Sequence, residues 1–408
     1  MLKEENELLC RVGPGTPMGN FMRQFWVPVM PAAGLEAGGD PERVRILGEN
    51  FVTFRAHDGR VGFFDEGCPH RGVSLVLARN GDCALTCIFH GWKIDVSGKV
   101  VDVPAEPPDR REAFAARVKV NHYPTKEKAG ILWVWLGKGE PAPFPNYNWI
   151  DLPQSHIRFG LGKINSNWLN GLEGQLDSAH VGILHQDWAT KDPKKFGQSN
   201  IDNATVDLAP RFEFEEQPYG FREAAVRNMP DGQHYVRVRE FVMPWYSYIP
   251  QHGGREGMQL LTISVPIDDE NSIQWDVRYN LVRPLTDSNW PNQTRINDMT
   301  AMLGGPEKRY GQDREMVKGG RWSGFKVLRH EDYAVAVAQG VIADRAKEFL
   351  ASSDIPIVRA RRALMIAAKK SVEGEKGPEF NPAIDWSKVR SFAETIPANS
   401  DWKQLPRG

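Results

Sequence analysis

The chain has 408 residues, 41% hydrophobic and 25% charged, which favours two or three domains with a sizeable core over a disordered or fibrous protein. Lys and Arg total 51 against 52 Asp and Glu, so the net charge of −1 argues against a nucleic-acid binder that works by bulk electrostatics. The four cysteines, Cys10, Cys68, Cys83 and Cys87, are too few for a disulfide-stapled secreted scaffold. MLKEENELLCRV lacks the apolar stretch of a signal peptide, and no apolar run approaches the roughly 18 residues of a membrane span. A cytoplasmic protein is expected.

In chain order, GPGTPMG reads as a structured turn before FMRQFWVPVM, because its glycine spacing and its prolines do not suit a dinucleotide loop. From Val44 to Leu136 short strands are predicted at RVRILG, NFVTFRA, RVGFFDE, DCALTCIFH, WKIDV, KVVDV and GILWVWLG, with turns at HDGR, RNGD and VSGK. Cys83 is expected to be a core strand residue. Pro-rich text around PAPFP marks a boundary near residues 140–150. Beyond it NWLNGLEGQLDSAHVGILH has helical spacing, with Gly182 as a weak point. Strand-like segments from RFEFEE to SIQWDVRYNLV predict an antiparallel sheet. Helices follow over EDYAVAVAQGVIADRAKEFL and PIVRARRALMIAAKKSVE. The fold class is α+β, an all-β N-terminal domain before a sheet with segregated helices.

Two constellations carry chemistry. Cys68-Pro69-His70 and Cys87-Ile88-Phe89-His90 each offer one thiolate and one imidazole from a tight loop. Common structural zinc sites place both cysteines in one knuckle and both histidines in the other. Mixed knuckles instead suit a cluster in which one iron takes two Cys and the other two His, the Rieske [2Fe–2S] arrangement. Gly72 and Gly91 permit the turns, and Pro69 stiffens the first loop. Further on, Asp177, His180 and His185 read D-x-x-H-x-x-x-x-H. Asp177 and His180 would share a helix face, whereas His180 and His185 are about 500° of helical rotation apart. The two histidines meet on one ion only if the helix ends or distorts between them, and Gly182 is the expected point.

CPHRG with CIFHGWKID, followed by NWLNGLEGQLDSAHVGILH, resembles the Rieske non-haem iron aromatic ring-hydroxylating oxygenase α subunits. The GPGTPMG…RQFWVPV opening and EDYAVAVAQGVIADRAKEFLASSD are similar to their phthalate-dioxygenase-like branch. The resemblance implies an N-terminal arm over residues 1–25, a Rieske domain over 26–145 and a helix-grip catalytic domain over 146–408. It implies a [2Fe–2S] cluster on Cys68, His70, Cys87 and His90, and a mononuclear Fe(II) on His180, His185 and Asp332, with Glu331 as the alternative carboxylate. Asp177 would bridge His180 to the cluster histidine His90 of a neighbouring subunit in a homotrimer or a multiple of trimers. Gln339 shares the helical face of Asp332 and reads as a packing residue.

The implied activity is oxygenation of an aromatic carboxylate, a phthalate- or substituted-benzoate-like acid, in aromatic catabolism. Monooxygenation by O- or N-demethylation or aryl-ether cleavage is the alternative within the same class. An electron-transfer or zinc-stabilised non-catalytic protein is the alternative outside it. Arg227, Arg237 and Arg239 are candidate anion anchors, each against the ordinary alternative of a solvent-facing arginine, and Ser178 and Trp245 are candidate pocket residues. No flavin or NAD motif is present, and two spare cysteines cannot hold a four-thiolate ferredoxin cluster. A separate NAD(P)H-dependent flavin/ferredoxin-type reductase is therefore the expected partner.

Overall fold

A computed structural model describes residues 1–191, 194, 199–251, 257–286 and 292–405. The chain divides into two units, Arg23–Ala142 and the larger Met1–Met22 with Pro143–Gly408. No described helix is long and apolar enough to cross a membrane.

The smaller unit consists largely of short antiparallel strands. Glu42–Ile46, Glu49–Arg55 and Val61–Asp65 form one meander. Arg79–Gly81, Ala84–Thr86, Lys93–Asp95 and Val100–Asp102 form a second sheet, and Trp26–Pro31, Ile131–Trp135 and Thr125–Lys128 a third. Hairpin turns follow from local backbone geometry. Leu47 and Gly48, at φ 51° and 81°, close the pair Ile46–Glu49 with the left-handed turn that suits strand twist. Asp82 and Cys83, at φ 48° and 56°, do the same between Gly81 and Ala84. Cys83 is thus a half-buried turn residue and not the core strand residue that composition suggested. The core packs Phe54, Phe64, Leu85, Trp92 and Ile94 together with Cys68 and Cys87.

Among the described residues, the larger unit is built on a nine-stranded sheet. Its order is Arg211–Gln217, Gly220–Asn228, Gln233–Val242, Tyr246–Ile249, Gln259–Pro266, Ser272–Tyr279, Ile157–Ile164 and Asn297–Asp298. Phe392–Pro397 adds to Gln233–Val242, and only Asn297–Asp298 pairs in parallel. The first 22 residues pack on this unit. Trp168 Nε1 donates to the Leu9 carbonyl at 3.2 Å, and Asn6 Nδ2 to that of Ala343 at 3.0 Å. The stretch read as a turn contains a helix, Pro17–Met22, whose leading proline costs nothing because the first N–H of a helix has no internal partner.

Two helices position the site. The first, Trp168–Leu176, is capped by Asn167, whose side chain accepts from Leu169 N at 3.1 Å. It buries Trp168, Leu169, Leu172 and Leu176, and it stops sooner than the sequence suggested. Asp177 (φ −83°, ψ 118°) turns its Oδ1 onto the N–H groups of Ala179 at 2.7 Å and His180 at 3.3 Å, a local bond that competes with helix. Asp177 and His180 therefore do not share a helical face. Gly182 is not the break; it sits in the 3₁₀ turn His180–Gly182, where a Cβ would lie 2.3 Å from the Ala204 carbonyl. The second helix, Leu328–Ala338, ends before Gly340 at φ 92°, so the helix expected to continue through Leu350 is cut short.

A buried carboxylate ties the first helix to the C-terminal part of the chain. Glu173 accepts from Arg345 Nε at 3.0 Å and Nη2 at 3.0 Å, and from Arg361 Nε at 2.7 Å and Nη2 at 3.0 Å. Arg361 projects from the helix Ile355–Val372. Removing Glu173 strands the buried Arg345 guanidinium and leaves Arg361 with Glu348 alone, at 2.7 Å. Glu173→Ala is expected to lower unfolding free energy by about 3–5 kcal/mol in urea titration. Glu315→Ala, which breaks an exposed pair with Lys318, should cost under about 1 kcal/mol. Equal losses would show that the Glu173 cluster does not hold the helix.

Candidate metal centres

The two Cys–His loops have the same internal wiring. Cys68 N donates to the Val73 carbonyl at 2.8 Å, and Gly72 N to the Cys68 carbonyl at 2.8 Å. Likewise Cys87 N donates to Trp92 at 2.9 Å, and Gly91 N to Cys87 at 2.9 Å. Gly72 and Gly91 take φ 73° and 71°, the left-handed step that each turn needs. This places the ring atoms His70 Nδ1 and His90 Nδ1 3.1 Å apart, with Trp92 stacked on His70 at 4.7 Å. Both thiols are buried, His70 is exposed and His90 is half-buried. Burial pushes the Cys68 thiol up to about 11, while backbone N–H groups of His70 and Arg71 point at its sulfur. Two thiols, two facing Nδ1 atoms and N–H donors on sulfur fit a [2Fe–2S] group that would take two Cys on one iron and two His on the other.

The second centre forms where the first helix gives way to turns. Ligand atoms of His180, His185 and Asp332 all lie within 4.8 Å of one another. Asp332 Oδ1 is 3.2 Å from His185 Nε2 and 3.7 Å from His180 Nε2. Each imidazole turns its other nitrogen to a different carboxylate. His185 Nδ1 is 2.5 Å from Glu331 Oε2, and His180 Nδ1 is 3.5 Å from Asp177 Oδ2. Glu331 is fully buried and also accepts from Trp188 Nε1 at 3.1 Å and from the Ser323 hydroxyl. Burial works against charge on His185, but Asp332 and Glu331 outweigh it and push the imidazole up to about 9. Burial likewise opposes charge on Asp177, yet His180 holds that carboxyl below its usual range. The cluster is short of positive charge, and its donor set of two nitrogens and a carboxylate fits Fe(II) with open positions.

Of the two neighbouring acids, the structure turns Asp332 toward both histidines and Glu331 toward the back of one. Successive helical residues point about 100° apart, so a side-by-side pair can serve both purposes. That is the signal in HEDYA that sequence reading left unresolved.

A cavity of about 1020 Å³ is lined by His180, His185 and Asp332. Arg237 and Arg239 also line it, while Val236 and Val238 face the opposite side of the sheet, against Phe392 and Trp402. Neither arginine faces solvent, and Arg227 is buried too. Arg227 and Ser178 lie behind the wall: Arg227 Nη2 donates to the Ser178 carbonyl at 2.8 Å, and Arg237 Nη1 to the Ser178 hydroxyl at 3.2 Å. Trp245 is fully buried and is not among the lining residues. Gln339 is exposed at the cavity and is not a packing residue. Sequence reading missed Asp276, Arg278 and Arg329, which line the cavity as well. The alternation of Gln274, Asp276 and Arg278 along an otherwise apolar strand was the available clue.

Comparison with known proteins agrees with this geometry. Residues 25–124 match the model for the Rieske [2Fe-2S] domain, and residues 134–407 that for the LigXa C-terminal domain like family. The phthalate 4,5-dioxygenase oxygenase subunit of Pseudomonas putida is 36% identical over 98% of this chain and 93% of its own length. The 3-chlorobenzoate-3,4-dioxygenase oxygenase subunit of Comamonas testosteroni is 34% identical over 98% and 97%. The solved reduced complex between oxygenase and ferredoxin in carbazole 1,9a-dioxygenase superposes with a TM-score of 0.56 at 20% identity, over 88% of this chain and 93% of that one, a likeness of fold. These full-length matches set aside the non-catalytic carrier and zinc-stabilised readings. With a Rieske cluster in its first domain and a mononuclear iron in its second, the chain belongs to the Rieske-type aromatic ring-hydroxylating oxygenases, as an oxygenase α subunit.

Proposed function

We propose that this subunit hydroxylates or dihydroxylates an aromatic carboxylate of the phthalate or substituted-benzoate kind. The observation that carries the reading is one cavity lined by both the His180–His185–Asp332 cluster and the paired cations Arg237 and Arg239. Cys68, His70, Cys87 and His90 would hold the cluster, and His180, His185 and Asp332 the iron. When bound, these groups supply O2 activation with two electrons delivered from NADH or NADPH through a separate reductase. The protein's own part is orientation. Glu331 and Asp177 keep Nδ1 of each histidine occupied and so present Nε2 to the ion. The arginines receive the substrate carboxylate and hold the ring against the apolar wall of Ile249 and Leu260. Burial works against charge on Arg237, so an arriving anion meets a cation that lacks solvent. Asp177 is only partly buried, as a link between His180 and the cluster of a second copy requires, and a trimer is the proposed assembly.

The experiment is turnover of benzoates, phthalates and methoxy- or phenoxybenzoates by the reconstituted holoenzyme with an NAD(P)H-dependent reductase. At least one acid should yield an oxygenated product. His180→Ala should reduce this by more than about 100-fold and lose the mononuclear iron, while the visible absorption of the cluster persists. Oxygen uptake without product for every acid, or loss of colour in His180→Ala, would contradict the proposal.

Glu223 sits opposite Arg239 in the strand ladder, fully buried, with neither carboxylate oxygen hydrogen-bonded. Burial pushes it up to about 7 against the pull of Arg239 and Arg237. The folded chain thus keeps a proton that the unfolded chain, titrating near 4.5, has already released. Stability from this group falls as pH rises from about 4.5 to 7, and the full penalty remains above that window. Glu223→Gln should therefore raise the melting temperature of the ligand-free holoenzyme at pH 8 and by much less near pH 5. An equal shift at both values would show that Glu223 does not titrate in this way.

A further inference from the structure

Arg227, Arg237 and Arg239 stand beside a buried acid that hydrogen-bonds to none of them. Glu223 pairs with Arg239 across the strands, and Ala225 with Arg237. Paired residues project from the same face of a sheet, with Cβ atoms about 5 Å apart. Glu223 therefore adjoins the two cavity-lining arginines, although it does not line the cavity itself. The guanidinium groups are tied elsewhere. Arg227 Nη2 donates to the Ser178 carbonyl at 2.8 Å, Arg237 Nη1 to the Ser178 hydroxyl at 3.2 Å, and Arg239 Nη1 to the Gln175 carbonyl. Among the described residues neither oxygen of Glu223 accepts a hydrogen bond, whereas the buried Glu173 is clamped by Arg345 and Arg361. Glu223 is near cations without being locked to them.

The other charged groups around it come from each element packed on its strand. Its own strand supplies Arg227, and the neighbouring strand Arg237, Arg239 and Tyr235. Asp177, in the turn after the first helix, opposes its charge. On the other side its partner is Phe214, under Arg359 of the helix Ile355–Val372, and Arg359 is paired with Glu216. The helix Asn200–Val206 carries Asp202, whose Oδ1 accepts from Thr190 N at 2.7 Å. Burial of Glu223 outweighs the pull of the arginines and pushes it up to about 7, so it changes charge close to neutrality.

We propose that Glu223 is a positioning residue that exchanges charge with the substrate: a carboxylate arriving on Arg237 and Arg239 drives Glu223 to take one proton from water. The proposal rests on reading those arginines as the carboxylate anchor. Two anions beside the same buried cations repel each other, and the one that holds no hydrogen bonds gives way. Charge balances, because one anion enters as one carboxylate becomes a carboxylic acid. Below about pH 7 Glu223 is already neutral and the cations are free for the substrate. Above it, each acid that binds must bring a proton with it. A neutral ligand has no such requirement, so Glu223 sets the preference for acids over neutral look-alikes and makes it strongest at lower pH.

Equilibrium binding to the holoenzyme tests this with benzoate, 3-phenoxybenzoate and the neutral 3-phenoxybenzamide. Affinity for both acids should fall about ten-fold from pH 6 to pH 8, with uptake of about one proton at pH 8 by calorimetry in two buffers. The acids themselves stay ionised over this range, and the amide should show neither effect. Glu223→Gln should bind the acids at pH 8 about as tightly as wild type does at pH 6. Arg239→Gln should weaken both acids at either pH. The wild-type slope and proton count are readable even if a variant fails to fold. A flat wild-type affinity, or an unchanged slope in Glu223→Gln, would overturn the role of Glu223 and leave the anchor standing. Failure of both acids to bind, or unchanged affinity in Arg239→Gln, would overturn the anchor and this role with it.

Discussion

Two imidazoles can share one ion only if each turns an unprotonated ring nitrogen toward it. Here that constraint is met from behind. Glu331 takes Nδ1 of His185 and Asp177 faces Nδ1 of His180, so both Nε2 atoms converge on Asp332. Much of the larger unit serves this arrangement. Asp177 bends the chain out of the first helix, and Glu173, held by Arg345 and Arg361, fixes that helix in place. Glu331 and Asp332 arrive side by side on the second helix and divide between the back and the front of the site.

The sheet does more than support the helices. Its antiparallel register lays the cavity-facing residues out in rows, so that charge and apolar surface are placed by strand pairing. Arg237 and Arg239 lie on one strand, with Val236 and Val238 turned to the packed core behind. Glycines at 160 and 162 clear the opposite edge for Arg329 and Tyr333. Buried cations of this kind cost desolvation energy unless something answers them, and an anionic substrate is a natural answer.

Local signals were the legible part. Paired Cys–His loops with a glycine after each need only short-range geometry, and the strands of the smaller unit followed from β-branched and aromatic runs with turn residues between. The iron-site histidines were legible as a motif but not as a shape. A side chain bonding its own backbone, as Asp177 does, ends a helix without any glycine or proline to announce it. Whether Asp332 or Glu331 faces the histidines depended on how a distant helix rotates against the first. Arginine burial was equally hidden, since composition counts charges and says nothing of the face they occupy. Cys83 erred for a related reason: the two-residue loop that closes its hairpin was not visible in the run DCALTCIFH.

The central claim is that Asp332, with His180 and His185, completes a mononuclear iron site that is chemically separate from the cluster. Iron and acid-labile sulfide content of Asp332→Ala against wild type tests it most directly. The account predicts about three irons and about two sulfides per wild-type chain, and about two of each in the variant. An unchanged iron-to-sulfide ratio in Asp332→Ala would contradict it.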